Sequence, residues 1–117
     1  MRLKSQTTTN NFLNRRLPKN RPPTHPGEML LEEFIKPLEL PLHEVARRLG
    51  ISSFRLNEII NGHGRVTPEI ALRLSQVFGM SAEFWLGLQQ DWDIWHTING
   101  PEIEEIFGLE PIKMKGK

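Results

Sequence analysis

The stretch LHEVARRLGISSFRLNEIIN, Leu42 to Asn61, decides the fold because it contains two short amphipathic helices separated by a glycine. In its first half, Val45, Ala46 and Leu49 recur at the spacing of one helical face. Gly50 follows and can adopt the left-handed conformation in which many helices end. Two helices joined by a short glycine turn are typical of a helix-turn-helix.

The second helix of this stretch separates an apolar face from a polar one. We expect Ile51 to fill the corner between the helices, and Ser52 or Ser53 to cap the second helix by accepting a backbone hydrogen bond. The apolar face, which we expect to be buried, consists of Leu56, Ile59 and Ile60. The residues that remain facing outward are Ser53, Phe54, Arg55, Asn57 and Glu58.

This outward face has the size and chemistry to enter the major groove of DNA. Arginine pairs with guanine, asparagine with adenine, glutamate with the amino group of cytosine, and phenylalanine contacts the thymine methyl. The predicted base-reading residues are therefore Ser53, Phe54, Arg55, Asn57 and Glu58. The alternative is an ordinary helical hairpin with a solvated polar face, in which Phe54 packs on Leu42 and Glu58 pairs with Arg55.

Polar side chains around the motif are candidates for contacts with DNA phosphates, which position a protein without reading sequence. Four of them are Asn61 or residues of the loop after it, where a helix-turn-helix approaches the duplex backbone. The predicted phosphate-binding residues are His43, Arg48, Asn61, His63, Arg65 and Thr67.

Three further helices are predicted around the motif. The first follows His25, with Pro26 at its first position, and Pro37 is expected to end it. The next begins at Thr67-Pro68-Glu69 and stops at Gly79. Ser81 caps the last, which ends before 99–101. Residues 102–107 have the length of one or two further helical turns, and no strand pattern is present, so the predicted class is all-α with five helices.

The last predicted helix carries an apolar stripe, Trp85, Leu88, Trp92 and Trp95, at intervals of three and four residues along one face. A five-helix domain cannot easily bury three indole rings. We therefore predict that this stripe contributes to a dimer interface. Two-fold pairing along this helix would also fix the distance between two DNA half-sites.

The chain has 117 residues and a net charge of +1, which suits one small domain, and it contains no cysteine. No apolar run is long enough to span a membrane and no secretory signal is present, so we expect a cytoplasmic protein.

The positive charge is concentrated in residues 1–24, which carry six Lys or Arg and no acid, whereas residues 25–100 carry six against ten acids. We predict a flexible basic arm at 1–24, a helix-turn-helix domain at 25–100 and a tail at 101–117.

No arrangement of residues in the sequence indicates catalysis or metal binding. His25, His43, His63 and His96 lie in different elements, and no pair has the spacing of metal ligands. No nucleophile has a neighbouring base and no glycine-rich phosphate loop follows a strand. We expect neither enzymatic activity, nor a metal, nor a cofactor.

Five separate pieces of the chain, in order and at the right spacing, resemble the HigA-type antitoxins, which are plasmid-maintenance antidote proteins with a Cro/repressor-like (XRE) helix-turn-helix. The pieces are His25-Pro26-Gly27-Glu28, Leu49-Gly50-Ile51-Ser52, Glu58-Ile59-Ile60-Asn61-Gly62, Thr67 with Ala71-Leu72-Arg73-Leu74, and Glu83-Phe84-Trp85-Leu86 with Leu88-Gln89. The resemblance covers residues 25–98.

The resemblance implies a homodimer that binds a palindromic double-stranded operator in its own promoter. It also implies a partner toxin, a HigB-type ribonuclease of the RelE-like kind, which the protein neutralises. The chain departs from the family at Pro41 and Leu42, where relatives usually have a capping Ser or Thr followed by a phosphate-binding Gln, and His43 is the available substitute. Two alternatives are a stand-alone regulator without a toxin and a protein-interaction module that has lost DNA binding.

Overall fold

The computed structural model describes residue 18 and residues 20–113. The predicted flexible arm at 1–24 therefore falls largely outside the described residues, as do residues 114–117 of the predicted tail. No helix of the described chain is both long enough and apolar enough to span a bilayer.

The described residues form six helices and no strand, which confirms the predicted all-α class. Helix α1 begins as Pro26–Leu30, passes through a π-helical turn at Leu31–Ile35 and ends with Lys36–Leu38; the others are α2 (Leu42–Leu49), α3 (Ser53–Ile60), α4 (Pro68–Phe78), α5 (Ala82–Ile98) and α6 (Ile103–Phe107). Helices α1 to α5 are the five predicted helices, and α6 is the short additional one at 102–107.

Helix α1 does not end at Pro37, and this part of the prediction is wrong. The N–H of Lys36 donates to the carbonyl of Leu31, five residues back, so the turn before the proline is wider than an α-turn. The wider turn relieves the contact of a proline ring with the preceding carbonyls, so the helix continues to Leu38. It ends at Glu39, which takes the left-handed conformation with φ of 58°.

The turn between α2 and α3 follows the predicted pattern. Gly50 adopts φ of 74°, its N–H donates to Arg47 O at 3.1 Å, and Ile51 N–H donates to Ala46 O at 3.0 Å. This pair of hydrogen bonds is a Schellman ending, which satisfies the last carbonyls of α2. Ser52 is the capping residue of α3, since its Oγ accepts from the N–H of Arg55 at 3.0 Å.

The start of α1 packs directly against the end of α3. His25 caps α1, because its Nδ1 accepts from the N–H of Gly27 at 2.9 Å, and Pro26 occupies the first helical position. A Cβ atom on Gly27 would overlap the carbonyl oxygen of Ile59 and come within 3.0 Å of Ile60 Cα. Only glycine allows the two backbones to come this close.

One apolar core lies beneath the helix-turn-helix. Its fully or nearly buried members are Leu30, Ile35, Val45, Ala46, Leu49, Leu56, Ile59, Val66, Ile70, Ala71, Leu74 and Trp85. Trp85 is 0% exposed and packs against Phe34 and Phe84. The prediction that Trp85 lies at a dimer interface is therefore wrong, because an indole that the single chain already buries has no surface left for a partner.

The chain divides into two compact units. One is Thr24–Trp92, which contains the whole of α1 to α4 and most of α5. The other combines the described part of 1–23 with the described part of 93–117, including the last residues of α5 and all of α6.

We predict that Gly27→Ala destabilises the protein by about 3 kcal/mol, because the new methyl group meets backbone atoms that cannot move aside as a side chain can. Gly79→Ala is the matched control: Gly79 has φ of 88° but open space around it, so its substitution costs only the conformational strain of about 1 kcal/mol. Urea unfolding of both variants measures the difference, and equal losses would contradict the close-packing explanation.

Candidate nucleic-acid interface

Helix α3 presents a polar face away from the core. Phe54 is 74% exposed, and Ser53 and Asn57 are also exposed, while Leu56 and Ile59 on the opposite side are 1% and 2% exposed. The alternative in which Phe54 is buried against Leu42 is therefore wrong. A phenylalanine held in water at the start of a capped helix is available to a partner surface.

Arg55 and Glu58, the other two predicted base-reading residues, are half-buried. They do not pair with each other as the alternative required. Arg55 instead donates through Nη2 to Glu69 Oε1 at 3.1 Å and through Nη1 to Glu69 Oε2 at 3.4 Å. Among the described residues, the Glu58 carboxylate has no hydrogen-bond or ion-pair partner, so it remains available to a donor on another molecule.

The Glu69 carboxylate is shared by two arginines. Arg73, one turn later on α4, donates through Nε to Glu69 Oε2 at 2.9 Å. Its Nη1 also donates to the carbonyl oxygens of Leu49 at 3.0 Å and Gly50 at 3.3 Å, at the end of α2. Hydrogen bonds from Arg55 and then from Arg73 lower the pKa of Glu69. We call Arg55, Glu69 and Arg73 the shared-carboxylate network. It connects α3 to α4, and through Arg73 it also connects α4 to the end of α2.

From the sequence, Glu69 is interpreted only as an acidic residue that favours the start of a helix, and no function is predicted for Arg73. The spacing of Glu69 and Arg73, four residues apart on one helix, was a usable signal for their ion pair. No local pattern signals the contact of Arg55 with Glu69, because the two residues are 14 apart and lie on different helices.

Arg48, a predicted phosphate-binding residue, shares an acid with its neighbour on α2. Arg47 donates to both oxygens of Glu44, at 3.1 and 2.6 Å, and Arg48 donates to Glu44 Oε2 at 2.9 Å. Hydrogen bonds from Arg47 and Arg48 lower the pKa of Glu44 from 4.5 to about 2. The Arg48 side chain is still 56% exposed, so it can reach a phosphate.

The start of α2 shows the departure noted in the sequence. Pro41 occupies the capping position with an extended backbone and makes no side-chain hydrogen bond to the helix. His43, the proposed substitute for the missing phosphate ligand, is exposed in the first turn.

The loop after α3 presents three more predicted phosphate-binding residues, since Asn61, His63 and Arg65 are all exposed. The loop is fixed from below: the buried Gln89 of α5 accepts from the N–H of Val66 at 2.8 Å. Sequence reasoning missed this anchor, which lies 23 residues away along the chain.

Thr67, the sixth predicted phosphate-binding residue, has a structural role in addition. Its Oγ1 accepts from the N–H of Ile70 at 3.3 Å and caps α4. A hydroxyl oxygen that accepts this bond still has its own hydrogen to donate to a phosphate.

The two remaining tryptophans of the predicted dimer interface are half-buried. Trp92 meets the ring of His25 edge-on, with centroids 4.8 Å apart. In the other compact unit, Trp95 donates its indole N–H to the carbonyl of Pro18 at 3.0 Å. Their place in a dimer stays a prediction.

Among the described residues, no group of three or more His, Asp or Glu side chains is arranged to hold a metal ion. The exposed side chains of α3 and of the loop after it comprise hydrogen-bond donors, hydrogen-bond acceptors and one aromatic ring.

Comparisons with known proteins match this geometry. Residues 31–85 match the protein-family model described as Helix-turn-helix. The uncharacterized HTH-type transcriptional regulator YbaQ of Escherichia coli strain K12 is 38% identical over 88 residues, 75% of this chain and 78% of YbaQ. Antitoxin HigA-1 of Vibrio cholerae is 34% identical over 87 residues, 74% of this chain and 82% of HigA-1.

A solved structure extends the similarity to three dimensions. The structure of antitoxin GraA in complex with its operator superposes with a TM-score of 0.71 and 34% sequence identity, covering 85% of this chain and all of GraA. The resemblance predicted from five pieces of sequence is thereby confirmed.

We predict that the ion pairs of Glu44 stabilise the protein in a pH-dependent way. Because the pKa of Glu44 is lowered on folding, the contribution is complete above 4.5 and is lost as the pH falls through about 2. The difference in Tm between the wild type and Glu44→Gln should therefore shrink between about pH 7 and about pH 3. As a control, when Arg47→Gln and Arg48→Gln are also present, the Tm difference caused by Glu44→Gln should be small at both pH values. If the Tm difference in the wild-type background does not change with pH, the ion pairs of Glu44 are not its origin.

Proposed function

Because the chain belongs to the HigA-type antitoxin family of helix-turn-helix DNA-binding proteins, we propose that it is the antitoxin of a type II toxin–antitoxin system. The family consists of DNA-binding regulators and antitoxins rather than enzymes. In the proposed role, the protein represses its own operon and neutralises a RelE-like, HigB-type ribonuclease toxin.

The exposed face of α3 is the observation that carries the DNA-binding part of this proposal. Ser53 and Phe54 lie at the start of the helix, the end that normally enters the major groove first, and Asn57 follows one turn later. Asn57 has the geometry to bond adenine in two places, and Phe54 to contact a thymine methyl. The exposed side chains His43, Arg48, Asn61, His63 and Arg65 supply the phosphate contacts that set the register.

A homodimer on a palindromic operator is the assembly that this site requires for high affinity. One copy of α3 contacts only a few base pairs, whereas two copies about 34 Å apart read two half-sites on one side of the duplex. Two-fold symmetry of the protein then matches two-fold symmetry of the operator. The partly exposed Trp92 and Trp95 are the proposed contribution of α5 to this interface.

The toxin-neutralising part of the proposal rests on the similarity to antitoxin HigA-1 and to antitoxin GraA. Antitoxins of this kind are produced together with their toxin, so the proposed partner is a small basic ribonuclease encoded beside this gene.

A stand-alone transcriptional regulator is the second candidate function. The observation that favours it is the 38% identity to YbaQ, whose name describes a transcriptional regulator and mentions no toxin. The two candidates share the DNA site and differ only in the toxin.

We predict that the protein binds the DNA upstream of its own gene, and that Asn57→Ala weakens this binding by about tenfold, the value of one well-formed base contact. Gln90→Ala, which removes an exposed amide on α5, is the control and should leave affinity unchanged. Fluorescence anisotropy over a range of salt concentrations provides the measurement.

Affinity for the operator should fall steeply with rising salt, because neutralised phosphates release counterions. Weak binding that is insensitive to salt and unchanged in Asn57→Ala and Arg65→Ala would support the protein-interaction module instead.

Co-expression with the neighbouring reading frame tests the toxin. We expect growth arrest when the neighbour is produced alone, recovery when this protein is produced with it, and co-purification of the two. Normal growth with the neighbour alone, or arrest that this protein does not relieve, would contradict the antitoxin proposal.

A further inference from the structure

The guanidinium of Arg55 is held at the edge of the predicted base-reading face by a residue outside that face. Arg55 lies on α3 and is 42% exposed, and both of its terminal nitrogens donate to the Glu69 carboxylate on α4. The Glu69 side chain is itself 51% exposed, so this ion pair lies at the surface of the protein.

Stability does not explain this arrangement. Exposed ion pairs between long side chains contribute little to the free energy of folding, because water screens the charges and ordering both side chains costs entropy. Orientation is a different matter: a guanidinium is a rigid planar fork, and a carboxylate that binds two of its nitrogens fixes the plane of that fork.

The carboxylate that orients Arg55 is itself fixed from the other side. Glu69 lies in the first turn of α4, two residues after the Thr67 cap, and its carboxylate also accepts from Arg73 Nε at 2.9 Å. Arg73 is attached in turn to the backbone carbonyls of Leu49 and Gly50. The Arg55 guanidinium is therefore held in place by contacts that lead to the start of α4 and the end of α2, and not only by its own helix.

Arg55 keeps hydrogen-bond donors for a base while it is bound to Glu69. A guanidinium has five N–H groups, and the two bonds to Glu69 use one on each terminal nitrogen. The remaining N–H groups are sufficient for the two acceptors that guanine presents in the major groove.

We propose that Glu69 is a specificity-determining residue that acts by positioning Arg55 for base reading, without touching DNA itself. This inference rests on the proposed operator binding. The shared-carboxylate network pre-organises the arginine, because it orders the side chain already in the free protein. The entropy cost of ordering Arg55 is therefore not part of the free energy of binding, and it does not weaken the contact that discriminates between bases.

The test compares Glu69→Gln with Glu83→Gln. Both substitutions remove one negative charge from the first turn of a helix, α4 and α5 respectively, so they match in net charge and in their effect on the helix dipole. Only Glu69 contacts Arg55. The measurement is the ratio of the dissociation constant for a scrambled duplex to that for the upstream DNA, at one salt concentration.

We expect Glu69→Gln to lower this ratio by about tenfold, the loss of one oriented arginine contact, and Glu83→Gln to leave it unchanged. Arg55→Ala should lower the ratio by a similar factor, and adding Glu69→Gln to Arg55→Ala should lower it no further. A panel of single base-pair substitutions should show that Arg55→Ala and Glu69→Gln lose discrimination at the same base pair.

Any of the following results would overturn the proposal. An unchanged ratio with unchanged affinities in Glu69→Gln would show that Arg55 needs no positioning. Losses that add in the double variant, or that fall at different base pairs, would assign Glu69 an independent role. An increase in affinity for both duplexes with an unchanged ratio would mean that Glu69 only withholds Arg55 from DNA. A wild-type protein that binds both duplexes equally would remove the operator binding on which the proposal depends, whatever the variants do.

Discussion

The contact of α1 with α3 is the constraint on which the rest of the structure depends. Gly27 lies so close to the carbonyl of Ile59 that no other residue fits between the two backbones. Beside this contact, His25 caps the start of α1, because its side chain accepts a hydrogen bond from the N–H of Gly27. Because backbone meets backbone, the contact has no side chain that can adjust, and it holds the start of α1 against the end of α3. Phe54 and Asn57 lie on the exposed side of α3, opposite the buried Leu56 and Ile59.

Four arginines around this helix, Arg47, Arg48, Arg55 and Arg73, are held by acids of the same chain. Glu44 binds the two arginines of α2, and Glu69 binds Arg55 and Arg73. The folded domain is therefore not a simple basic patch, and residues 25–100 carry more acids than bases. In the proposed DNA complex, a phosphate contact by Arg48 shares or replaces its Glu44 partner, so the proposed attraction to DNA depends on a small number of oriented side chains rather than on net charge.

Local chemistry made most of the architecture predictable from the sequence. Ser52, Thr67 and Ser81 cap the helices expected of them, and Gly50 and Gly79 end helices in the left-handed conformation. Each of these signals acts within four residues, so the sequence alone contains all of its partners. The face of α3 was predictable for the same reason, because helical spacing separates its apolar residues from its polar ones.

The sequence by itself therefore determined the helices, most of their ends and the exposed polar face of α3, whereas the tertiary structure decided which residues meet across helices. Helical spacing put Trp85 in the same stripe as Trp92, but only packing against Phe34 made Trp85 part of the core. Likewise, Arg55 was predictable as an outward side chain, but its partner Glu69 is 14 residues away. Such contacts depend on the crossing of helices distant in sequence, a geometry that no local pattern records.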